Sequence, residues 1–156
     1  MFFILGFAIF LATIGFVITI LGGDIRFFLN LPTIIFIFIP LTGVLTATNS
    51  FKVFYGGLKA VIFPKEPISD ELRGQAASLF RFLSKATIMI AVIMTLISLV
   101  NMLFSMDFAD SNAIYCIGIN IAASLISMLY AMILIVGIFE PVVFILKKRQ
   151  ATKERK

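Results

Sequence analysis

Four uncharged runs constrain this chain more than any other feature: residues 1–23, 27–51, 86–106 and 111–139, of 23, 25, 21 and 29 residues. A helix needs about 20 residues to cross roughly 30 Å of hydrocarbon at 1.5 Å per residue, so each run is long enough to span a membrane. The other structure that satisfies backbone groups in lipid is a closed barrel, which needs alternating segments of about 10 residues. Continuous apolar stretches such as Ile88 to Val100 do not alternate. The sequence therefore reads as an all-α membrane protein with spans at about residues 2–22, 31–50, 86–106 and 112–139, a segment 52–85 and a basic tail 147–156. All of residues 1–156 form one membrane domain in this reading.

Composition narrows the chemistry. Only 13% of residues are charged and 61% are hydrophobic, whereas soluble domains average about 25% charged. The absence of histidine, with a single cysteine at Cys116, removes the usual metal constellations, histidine-based triads and any intrachain disulfide. Neither a metal nor a cofactor nor an enzymatic reaction is expected. The first span lacks a charged leading region and a small-x-small cleavage pattern, so it reads as a retained helix, not a signal peptide. The segment between spans two and three carries Lys52, Lys59, Lys65, Arg73, Arg81 and Lys85, and the tail carries Lys147, Lys148, Arg149, Lys153, Arg155 and Lys156; the two remaining loops hold only Arg26. This asymmetry puts both termini and residues 52–85 in the cytoplasm, with short external loops near Gly22–Asn30 and Asp107–Asn112. A division of charge that follows topology leaves nothing to suggest nucleic acid; the tail instead reads as an anchor to anionic lipid.

At 34 residues, the segment 52–85 is too short to bury a core and must join the bundle. Pro64 and Pro67 break its first part. Ser69 then caps a helix whose first turn holds Asp70 and Glu71, favourable at the positive end of the helix dipole. With only Gly74 as a weak point, that helix runs through Arg81 and Lys85 into the third span as a rod of about 37 residues and about 55 Å. Leu72, Leu79, Phe80 and Leu83 share one of its faces, for packing on a neighbour or lying on the membrane surface. The fourth span likewise has no hard stop before Glu140-Pro141, and Val142 to Arg149 continue it beyond a kink. The last two helices are thus expected to be long and to extend into the cytoplasm.

Within the spans, polar residues are few and spaced. Thr95, Ser98, Asn101 or Met102, and Ser105 follow steps of three and four on the third, with Thr87 and Ala91 extending the face. On the fourth, Asn120, Ser124, Ser127 and Ala131 do the same. One explanation is contact between helices, where small and hydroxylated residues let backbones approach. The other is a central channel, or a cavity that holds helices of another protein. No span contains a mid-membrane acid or base, so a proton relay would need a partner's titratable group. Glu140 is either an interfacial acid or part of an ion exit path. Asp24, Asp107 and Asp110 read as solvated loop acids, Pro40 as a tolerated bend, and Cys116 as packing.

The segment Ala91-Val-Ile-Met-Thr-Leu-Ile-Ser-Leu-Val-Asn-Met-Leu103, followed by a short loop and Leu125-Ile-Ser-Met-Leu-Tyr-Ala-Met132, resembles the MotA/TolQ/ExbB proton-channel family, with the MotA branch nearest in layout. Phe139-Glu140-Pro141 is similar to the F-x-P run near the inner end of the family's fourth span, and Gly22-Gly23 to the glycine pair after its first. The resemblance implies a homopentameric ring around two copies of a single-span MotB-, ExbD- or TolR-like partner in the bacterial inner membrane. In that family ions pass by way of a partner carboxylate. It further implies that Thr95, Ser127 and Met128 stand at pore positions, to which the channel reading of the two stripes adds Ser98 and Ser124 as pore-lining residues. Thr95 falls on the third-span pore threonine and Ser127 on the first of the fourth-span threonine pair.

Where the family carries a proline this chain has Ile88, and Ala91, Met94, Ser98 and Ala131 replace glycines; Met128 replaces the second threonine. The cytoplasmic insertion is also shorter than in MotA. Two functions are carried forward: a subunit of an ion-driven motor or channel that energises a cell-envelope process, and a non-conducting membrane scaffold or regulatory subunit derived from the same family.

Overall fold

The computed structural model describes residues 2–63, 68–105 and 113–154, the side chains of residues 105, 113, 116 and 150–154 excepted. The expectations for Pro64, Lys65, Pro67, the Asp107–Asn112 loop, Arg155 and Lys156, and for the side chains of Ser105, Cys116 and Lys153, lie outside that set. Among the described residues there are helices and turns but no strand. Helix α1 is Phe2–Ile20, α2 Ile25–Phe28, α3 Leu31–Ala47, α4 Phe51–Ile62, α5 Asp70–Ser105 and α6 Ala113–Leu134; a π-helical turn, Ile135–Phe139, leads into α7, Glu140–Glu154. Four stretches are long and apolar enough to cross a membrane: Phe2–Ile20, Ile25–Ala47, Asp70–Phe104 and Ile117–Arg149. This is the pattern of a multi-pass membrane protein.

Local chemistry sets the helix ends. After α1, Gly22 adopts φ +74, and the Gly23 and Gly22 amides donate to the carbonyls of Ile18 at 2.9 Å and Thr19 at 3.1 Å. This is a Schellman motif, and the left-handed backbone at its centre explains the glycine. The end of α3 repeats it with Asn49 at φ 49, where Ser50 N donates to Leu45 O and Asn49 N to Thr46 O, both at 3.0 Å. Ser69 accepts from Leu72 N at 3.2 Å and so caps α5, which runs unbroken for 36 residues. The expected rod is present over the described residues Asp70–Ser105.

At Pro141 the kink takes a specific form. An α-helical Pro141 would press its ring on the carbonyl of Gly137 and leave that carbonyl without a donor. The helix instead widens to π geometry over Ile135–Phe139, with the Glu140 amide reaching back to the Ile135 carbonyl, and α7 then continues the rod.

Helix α4 is absent from the sequence-based reading, in which Pro64 and Pro67 merely broke the chain. It forms because Val53, Phe54, Gly57, Leu58, Ala60 and Val61 present one apolar face to α5 and α7. Gly57 allows the closest approach: a Cβ there would stand 2.7 Å from that of Ala76 and 3.0 Å from the Phe80 ring. Phe80 is fully buried, with its ring centroid 5.1 Å from that of Phe54 and 5.8 Å from that of Phe139. The face holding Leu79, Phe80 and Leu83 is thus buried in the protein, which decides between helix packing and a membrane-surface face. At the C-terminal end of α4, Arg149 Nη1 donates to the Ala60 carbonyl at 2.6 Å. A cation there satisfies an acceptor that the helix itself leaves open.

The long helices are offset. Tyr130, seventeen residues after the start of α6 at Ala113, donates to the Phe28 carbonyl and accepts from Asn30 N at 3.0 Å. The connection between α1 and α3 is therefore fastened about 25 Å from the Ala113 end of α6. Helix α1 docks beside it on the π turn, where Phe7 and Phe10 cover Gly137. Beyond this level α5 and α6 pair mainly with each other, and Ile97, Val100, Leu103, Ile114 and Ile119 are exposed.

Candidate functional site

The small and polar stripes of α5 and α6 meet in one interface inside the chain. Thr95 Oγ1 donates to the Ser124 carbonyl at 3.2 Å. Ser124 Oγ, in a residue only 2% exposed, donates to Asn120 O at 2.8 Å. Around this pair Ala91, Ser127 and Ala131 are buried. Thr87 is fully buried and returns its hydroxyl to Leu83 O at 2.8 Å. In each case a small side chain lets the helices close while a carbonyl of the same or facing helix takes up the hydroxyl proton.

The five residues read as pore-lining divide into three groups. Ser124 and Ser127 are buried between α5 and α6, Thr95 is half-buried at their contact, and Ser98 and Met128 lie on the exposed surface of the pair. Asn101 and Asn120 are exposed as well. The antiparallel contact of Thr95 with Ser124 puts Ser98, Asn101 and Asn120 within about a turn of one another along the hairpin axis. Three exposed polar residues thus share one level inside two uncharged runs.

The other candidate, Glu140, stands at the start of α7 and is exposed. Its Oε1 lies 3.2 Å from Ser84 Oγ, which is also 3.1 Å from Phe80 O, so one buried hydroxyl proton serves two acceptors. Among the described residues no group of three or more metal-ligating side chains occurs, and no acid or base lies on α5 or α6 between Lys85 and Glu140. The roles of Tyr130 and Arg149 escaped the sequence reading. A tyrosine in the fourth span and an arginine in a basic tail carry no spacing signal that names their backbone partners.

No known protein family, no curated protein and no solved structure matches this chain.

Proposed function

We propose that this protein is a ring-forming subunit of an ion-driven membrane complex, in which a single-span partner supplies the carboxylate. The observation that carries the reading is the polar group Ser98, Asn101 and Asn120, exposed on the α5–α6 hairpin at one level of two apolar runs. In hydrocarbon such groups are costly and are covered by protein or line a water-filled path. A ring of copies, five in the family that the sequence resembles, gives them both. Thr95, Ser98 and Met128 then stand on or beside the inner wall, and Ser124 and Ser127 hold α5 to α6 behind it.

The two helices carry no Asp, Glu, Lys, Arg or His between Lys85 and Glu140, so in this reading the carboxylate comes from outside. Moving one charge across 100 mV yields about 2.3 kcal/mol, enough to drive repeated steps where a carboxylate is neutralised and released near Thr95. In this reading both termini and α4 face the cytoplasm, because the basic residues gather there.

A second reading, a non-conducting scaffold, draws on a specific observation. Ser124 and Ser127, two of the small polar residues of the stripe, are consumed in packing within the chain, and Met128 presents a thioether on the exposed side. The discriminating experiment is isolation of the complex from its native membrane. Recovery of a single-span protein with an intramembrane Asp supports the ion-driven reading; recovery of the protein without one favours the scaffold.

A further inference from the structure

Lys85 is the last charge before the third apolar run, and Glu140 is the first after the fourth. Because α5 and the α6–α7 rod are antiparallel, the ends of these two uncharged runs stand at one level on neighbouring helices, where Ser84 reaches Glu140. Between them opens a depression of about 650 Å³, with Arg81 and Lys85 from α5, Glu140 from α7, Ser84 between, and Ile88 and Ile135 where the apolar runs begin.

The charges in this depression are not matched to one another. Arg81 and Lys85 are exposed and one helical turn apart, a spacing at which like charges repel. Among the described residues neither is in an ion pair, and Glu140 takes only the Ser84 hydroxyl. A carboxylate offers about four acceptor positions, so most of those on Glu140 stay open. Two cations and one carboxylate, set where two uncharged runs end and beside the apolar side chains of Ile88 and Ile135, complement a headgroup that carries both a phosphate and a primary ammonium. Basic pockets between membrane helices bind lipid phosphates in this way, and Glu140 adds the partner for the amine.

We propose that this depression is a binding site for an aminophospholipid of the phosphatidylethanolamine type. The phosphate lies between Arg81 and Lys85, the ammonium donates to Glu140, and an acyl chain descends past Ile88 and Ile135. A glycerol headgroup lacks the ammonium. A choline headgroup has one without N–H donors. Both should bind less well.

The test is lipid retention by the full-length protein, purified in detergent with equal amounts of phosphatidylethanolamine, phosphatidylglycerol and phosphatidylcholine and read by native mass spectrometry. Wild type should retain phosphatidylethanolamine about fivefold over each of the others. E140Q should still bind phospholipid but lose that preference, and R81A/K85A should lose retention of all three at unchanged helicity. K85A alone, a milder change at an exposed position, should reduce retention partway. Soluble phosphoethanolamine, which has the headgroup without the chains, should not displace the lipid. Equal retention of the three lipids by wild type, preference for phosphatidylglycerol, an unaltered preference in E140Q, or displacement by phosphoethanolamine would each overturn the proposal.

Discussion

The Tyr130 hydroxyl fastens the backbone of Asn30, accepting its N–H at 3.0 Å while donating to the neighbouring Phe28 carbonyl. Asn30 is also the cap of α3, its Oδ1 accepting from Thr33 N at 3.2 Å. One side chain on α6 thus fixes where the α1–α3 hairpin ends. Y130F keeps the ring and removes both bonds, leaving a partly buried donor and acceptor unsatisfied. The expected cost is about 1–3 kcal/mol, read as a lower midpoint of thermal unfolding in detergent. A midpoint equal to that of wild type would mean that the hydroxyl does not hold the connection.

Two glycines of the α4–α5 region should respond with opposite sign. In G57A the new methyl meets the Cβ of Ala76 and the Phe80 ring, and overpacking of this kind costs about 1–3 kcal/mol. In G74A the methyl meets nothing within 4 Å, so the gain in helix propensity, up to about 1 kcal/mol, remains. Unfolding of the two variants under identical conditions checks both signs.

Arg149 should be needed for the last turn of α4. R149A removes the donor to Ala60 O, a charged hydrogen bond of the class worth about 1.5–3 kcal/mol. Hydrogen exchange should quicken over Lys59–Phe63 while exchange in α6 stays as in wild type. R149K, with a charge but no planar fork, should recover only part of the protection.

T95V separates packing from ion handling. The hydroxyl that reaches the Ser124 carbonyl belongs to a class of membrane hydrogen bonds averaging about 0.6 kcal/mol, so stability and assembly should barely change. Ion-driven activity of the complex should be lost. Normal activity would remove Thr95 from the mechanism.

The residues that showed in the sequence are those whose roles depend on near neighbours in the chain. The lengths of the uncharged runs gave the four long helices, Ser69 the start of α5, and Glu140-Pro141 the point where the fourth helix changes course. The partners of Tyr130 and Arg149 lie 100 and 89 residues away, and no periodicity reports such a distance. Helix α4 was hidden because two glycines interrupt its pattern, and these become intelligible only against α5, Gly56 beside Leu72 and Gly57 beside Ala76 and Phe80. The stripes of α5 and α6 were visible as stripes. Their spacing is the same for packing and for a pore, and the contact of Thr95 with Ser124 shows that much of the small-residue surface is used within one chain.

The ring is the central claim, and the most direct measurement is the stoichiometry of the complex purified from its native membrane, by native mass spectrometry or imaging of single particles. Five copies of this chain enclosing two foreign single-span helices, with Ser98, Asn101 and Asn120 on the inner surface, is the expected result. A monomer or a dimer, with those three residues facing lipid, would contradict it.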